Sequence, residues 1–96
     1  MEHWKVEWVH DFSAEPVTIY SEVGDDGYET RKIQKFRDGR ILKADEHHET
    51  GEIGLSEAPV GPIEEVAEQP EFHAFHISLS EFEELWERAR WPQRNG

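Results

Sequence analysis

The sequence predicts an α+β domain: an antiparallel sheet of four to five strands with a C-terminal amphipathic helix packed on one face. Three observations carry that expectation. The stretch from Val17 to Ala44 places two glycine-bearing acidic turns, Gly24-Asp25-Asp26-Gly27 and Asp38-Gly39, between three segments rich in strand-favouring residues, which reads as a three-stranded meander. Trp4, Val6 and Trp8 alternate with a period of two, the mark of a strand with an apolar face. Phe82, Leu85, Trp86 and Ala89 recur at helical spacing and form one apolar stripe.

The first strand is expected over His3 to His10, with two Trp on its buried side. The link from Asp11 to Pro16 holds turn formers, and Phe12 within it is expected to fold back as a plug. Pro16 lacks the amide hydrogen a central strand needs. The second strand covers Val17 to Val23 and the third Tyr28 to Arg37, where Ile33 and Phe36 have opposite parity. That conflict calls for a bulge or for a sheet covered on both sides. A two-residue Asp38-Gly39 loop sets Phe36 against Ile41, Ile33 against Ala44 and Arg37 beside Arg40.

Asp45 to Glu52 contains no apolar residue and is expected to be a mobile loop. Ile53, Leu55 and Val60 then anchor an irregular crossing, and Pro62 opens a short helix over Ile63 to Glu68 at the edge of the sheet. His73 to Ile77 reads as a last strand with Phe75 and Ile77 in phase. Ser78-Leu79-Ser80-Glu81 matches a capping box, and Ser78 as the cap sets Ile77 against Phe82 as a hydrophobic staple. The helix runs to about Arg90, where Trp91-Pro92 stops it. Residues 1–91 are read as a single domain and 92–96 as a flexible tail. The expected core is Trp4, Val6, Trp8, Ile19, Ile33, Ile41, Phe75, Ile77, Phe82, Leu85 and Trp86.

Charge is distributed unevenly. The chain of 96 residues carries a net charge of −12 and no cysteine, so disulfides, thiolate metal sites and cysteine nucleophiles are excluded together. Twelve carboxylates and no Lys or Arg lie between Glu46 and Glu87, whereas Arg31 to Lys43 holds six basic residues and the single acid Asp38. The acidic excess argues against binding to nucleic acid backbones and suits a basic protein partner. No apolar run reaches membrane-spanning length and the start lacks the pattern of a signal peptide, so a cytoplasmic protein is expected.

Two sets of residues are candidate sites. The first is an acidic contact face drawn from Glu46, Glu49, Glu52, Glu57, Glu64, Glu65 and Glu68. The second is a polar cluster of Tyr20, Glu22, Glu29 and Arg31: pairing Val23 with Tyr28 would set Glu22 opposite Glu29 on the face of Tyr20 and Arg31. Close carboxylates push their proton affinities apart, the basis of acid-base chemistry or ligand binding there. No nucleophile elbow, phosphate loop or HExxH motif occurs, so no catalytic residue is assigned and no cofactor is implied. Of the six histidines, His47-His48 and His73-x-x-His76 have the spacing that invites a metal. Residues three apart on a strand point to opposite faces, and no metal site is assigned. The basic hairpin carries Tyr28 and Phe36 among its cations, but the acidic balance weighs against nucleic acid.

The tryptophan-bearing first strand, Ile19-Tyr20-Ser21-Glu22, the run Glu29-Thr30-Arg31-Lys32-Ile33 leading to Phe36-Arg37-Asp38-Gly39, and Glu81-Phe82-Glu83-Glu84-Leu85-Trp86 together resemble a family of small uncharacterised bacterial stand-alone domains. The resemblance covers nearly the whole chain and implies a bacterial, cytoplasmic protein, with no catalytic residues to carry over. In size and charge alone the chain is also similar to immunity proteins that neutralise toxins. The reading is a non-enzymatic protein-binding module, of the immunity type or otherwise, with a ligand-binding or catalytic use of the Tyr20 face as the alternative. An unpaired edge strand would also support a homodimer.

Overall fold

The computed structural model describes residues 1–47, 53–55 and 59–92. Five antiparallel strands, β1 (Glu2–Trp8), β2 (Thr18–Val23), β3 (Glu29–Lys35), β4 (Ile41–Asp45) and β5 (Phe72–His76), form one sheet in the order β4-β3-β2-β1-β5. Two helices, α1 (Ile63–Ala67) and α2 (Leu79–Arg88), complete the α+β architecture, and the meander predicted over Val17 to Ala44 is β2-β3-β4.

Both hairpins of the meander close through three-residue turns of one design. Gly24 and Phe36 each accept a hydrogen bond from the turn glycine, Gly27 or Gly39, at 2.9 and 3.1 Å. Both also donate to the residue after the turn, Tyr28 or Arg40, at 2.9 Å. In each turn an aspartate, Asp26 or Asp38, accepts the amide two residues on, and the glycine has a φ of 84° or 93°. A left-handed residue after a tight turn is the standard closure of such a loop, and glycine adopts it without steric cost.

This turn length corrects the expected pairing of β3 with β4. Ile33 faces Lys43, Lys32 faces Ala44, and Phe36 pairs with Arg40, so Arg37 and Arg40 are not cross-strand neighbours. A one-residue slip exchanges faces, and here it places Leu42 and Ala44 on the side away from Ile33. The parity conflict between Ile33 and Phe36 is thereby resolved by a sheet covered on both sides.

On one face Phe82 of α2 and Ala89 just beyond its end pack against Tyr20 and Ile33, with Ile41, Ile77, Leu85 and Trp86 around them. On the other, Ile63 of α1 packs with Trp4, Val6 and Val23, and Ile53 covers Phe36, Leu42 and Ala44. The short helix thus lies under the centre of β1 as well as beside β5. Ser78 caps α2, its Oγ accepting from the Glu81 amide at 3.1 Å, and Ile77 and Phe82 meet in one cluster as the staple requires.

Three further expectations are corrected. Phe75 is half exposed, because α2 lies over β2 to β4 and does not reach the edge strand β5. Phe12 does not plug the core but is 62% exposed. The helix ends at Arg88, before Trp91-Pro92, since Ala89 is extended and Arg90 joins the outer edge of β4. Arg90 N donates to Ile41 O at 2.8 Å and its carbonyl accepts from Lys43 N at 3.0 Å, forming one parallel bridge. Pro92 is buried, while the rest of the predicted tail, like most of the predicted mobile loop, lies outside the described residues.

Candidate functional site

The predicted polar cluster divides between the two faces of the sheet. Val23 faces Glu29 and Glu22 faces Arg31, so Thr30 is an extra residue in β3, and this bulge turns Glu29 away from Glu22. Tyr20, Glu22 and Arg31 remain under α2. The convergence of four polar side chains on one open face, on which acid-base chemistry depended, does not form.

Beneath α2, Arg31 donates to Glu22 Oε1 from Nε at 2.9 Å and to Oε2 from Nη2 at 2.5 Å. Nη2 also reaches Glu83 of α2 at 2.5 Å. His3 Nε2 donates to Glu22 Oε2 at 2.8 Å, and Thr30 Oγ1 donates to Oε1 at 2.6 Å. The guanidinium lies 4.9 Å from the ring centroids of both Phe82 and Trp86. Hydrogen bonds from Arg31 hold the buried Glu22 carboxyl down to about 2 against the opposing effect of burial, with Thr30 and His3 adding to the depression. Arg31 is pushed up in turn by Glu22, and Glu83 is lowered by Arg31. Burial raises the Tyr20 hydroxyl above its ordinary value. Arg31 is shared between a carboxylate of the sheet and one of the helix, so the cluster fastens α2 to the sheet.

On the opposite face, Ser21 Oγ donates to the buried Glu29 at 2.8 Å. Lys32 Nζ pairs with Glu29 at 3.1 Å and donates to Gly54 O, tying down the segment after β4.

The other cations of the basic hairpin are also held within the chain. Arg40 pairs with Asp38 at 2.8 Å and lies over Phe36, and Arg37 donates to His10 O. Lys43 Nζ donates to Trp86 O at 3.0 Å and lies within 4.8 Å of the Trp86 and Trp91 ring centroids. Of the basic residues from Arg31 to Lys43, only Lys35 has no such side-chain contact among the described residues.

The acids of the predicted contact face are arranged otherwise. Glu46, Glu64, Glu65 and Glu68 are exposed, and no ion pair among the described residues includes them; Glu49, Glu52 and Glu57 lie outside the described residues. His73 and His76 point to opposite faces of β5, opposite Glu7 and Trp4 respectively. His47 is exposed and His48 lies outside the described residues. Among the described residues no group of three or more His, Asp or Glu is placed to hold a metal ion, and no helix is long and apolar enough to cross a membrane.

Sequence reasoning missed one concave feature. Trp8, Phe12, Ser13, Ala14 and Glu15 line a shallow, open cleft of about 500 Å³ beyond the end of β1. His10 organises it: the ring accepts the Phe12 amide on Nδ1 at 2.9 Å and donates from Nε2 to Pro16 O at 2.7 Å. Trp8 and His10 ring centroids are 4.1 Å apart, and Phe12 stacks on His10 at 5.4 Å. The available signal was the pattern Trp8-x-His10-x-Phe12 leading into a turn-rich link.

A five-stranded antiparallel sheet bracketed by a capped C-terminal helix and a shorter apolar crossing defines a small two-faced α+β domain. Residues 2–91 match the model of a domain of unknown function, DUF6881, and the chain belongs to that family. No curated protein and no solved structure matches the chain.

Proposed function

We propose that the protein is a non-enzymatic protein-binding module whose acidic surface meets a basic partner, with neutralisation of a basic toxin in the manner of immunity proteins as its specific form. The observation that carries this reading is the division of charge. Arg31, Lys32 and Arg40 of the basic hairpin pair internally with Glu22, Glu83, Glu29 and Asp38, Arg37 and Lys43 donate to backbone carbonyls, and among the described residues none of the hairpin's cations pairs with the carboxylates of α1. Glu64, Glu65 and Glu68 face solvent on a helix with no basic residue in its last turn. A field of that sign accelerates encounter with a positively charged surface and rejects acidic ones.

The test is capture of partners on the immobilised protein at low and high salt, with a Glu64→Gln/Glu65→Gln/Glu68→Gln variant beside the parent. The reading expects a basic protein retained at low salt, released at high salt and weakened by the variant. Retention indifferent to both salt and the substitutions would sink it. Co-expression with the product of an adjacent toxin-like reading frame tests the immunity form separately.

A further inference from the structure

We infer that the cleft of Trp8, Phe12 and Glu15 is the anchor site of the acidic surface: it takes one apolar side chain of a basic segment of the partner. The inference rests on the protein-binding reading above and adds to it a place and a residue chemistry.

Three observations converge on this loop. Phe12 is 62% exposed although the chain around it is firmly held. Trp8 N donates to Val17 O at 2.9 Å, Val9 N to Glu71 O at 2.8 Å, and the His10 ring bridges Phe12 to Pro16. A backbone fixed at so many points presents its aromatic ring with little conformational entropy left to lose on binding. The floor is also already built, since Trp8 lies 6.0 Å from Phe72 and 6.2 Å from Phe12 between ring centroids. Aromatic anchors in concave, pre-organised sites dominate binding energy at protein interfaces.

The charge around the cleft selects the occupant. Glu15 lines it, Asp11 precedes Phe12, and the chain that hydrogen-bonds to Val9 is Glu71, one turn beyond the acidic α1. Arg37, which donates to His10 O, keeps its charge, and the acids Glu15, Asp11 and Glu71 outnumber it around the loop. An apolar side chain flanked by Lys or Arg matches both the wall and the rim, whereas an acidic segment is repelled.

Selection from a library of randomised 12-residue peptides displayed on phage, against the whole protein, tests this. The expected outcome is enrichment of sequences with an apolar residue between basic ones. Their binding should weaken about tenfold in Phe12→Ala and severalfold in Glu15→Gln, with shifts of the Trp8 indole and the Phe12 to Glu15 amides in NMR spectra. Phe12 is exposed, so its truncation leaves the fold intact, which the remaining amide resonances report. Basic peptides that bind indifferently to Phe12 but lose affinity in Glu64→Gln/Glu65→Gln/Glu68→Gln would overturn the cleft and leave the acidic surface standing. Enrichment of apolar sequences without basic flanks, or of none, would overturn the inference, and salt-dependent capture then judges the broader reading on its own.

Discussion

Arg31 holds Glu22 with two hydrogen bonds and carries the same guanidinium to Glu83, so a single side chain joins β2, β3 and α2. The pair is stabilising only while Glu22 is ionised. Its carboxyl titrates near 2 in the folded protein against 4.5 when unperturbed. Because the folded value is depressed, the stabilisation is full above about pH 4.5 and is lost as pH falls towards 2. A shift of that size corresponds to roughly 3 kcal/mol. Urea denaturation followed from pH 6 down to pH 2 should show this loss in the parent, whereas Glu22→Gln should start less stable and fall less steeply. Equal slopes in the two proteins would show that the acid sensitivity lies elsewhere.

Phe82 has no exposed surface and meets His3, Arg31 and Trp86 as well as the apolar residues of the sheet. Phe82→Ala should therefore cost about 3–5 kcal/mol. Leu79 on the same helix is 54% exposed, and Leu79→Ala should stay within about 0.5 kcal/mol. Chemical denaturation of the two variants side by side measures the contrast.

Gly39 has a φ of 93° with nothing within 4 Å of where a Cβ would stand, so a substitution there reports backbone strain alone. Gly39→Ala should destabilise by about 1–2 kcal/mol and Gly39→Asn by less, since Asn tolerates the left-handed region better. Identical melting temperatures for the parent and Gly39→Ala would refute the three-residue turn.

Arg90 contributes both a donor and an acceptor to the outer edge of β4. Arg90→Pro removes the donor, and Ala89 already has the extended backbone that a following proline favours. A loss of about 1–2 kcal/mol is expected, with faster exchange of the Lys43 amide. Unchanged exchange at Lys43 would show that the bridge does not form in solution.

Much of the architecture was readable because it depends on local chemistry. The Asp-Gly turns, the alternation of Trp4, Val6 and Trp8, and the Ser78 cap with its Ile77–Phe82 staple each act within a few residues. Register was not readable, because an Asp-Gly pair fits both a two-residue and a three-residue loop, and one residue exchanges the faces of Ile33 and Ala44. The same limit governed the polar cluster. Glu22 and Arg31 were recognised as neighbours, but nothing in the residues announces that Thr30 bulges and turns Glu29 away. His3 and Glu83 join the cluster only through strand pairing and helix docking. The cleft was missed because the His10 ring, through Phe12 and Pro16, gives its loop a shape that composition does not reveal.

The bridge at Arg90 also sets the arithmetic of self-association. A sheet with two bare margins can add copies indefinitely, as fibrils do. Here one margin is stoppered over Leu42, while among the described residues nothing pairs with the outer side of β5. Copies that met strand to strand through β5 would use the margin that stays open among the described residues, with β4 blocked at Leu42 against further addition.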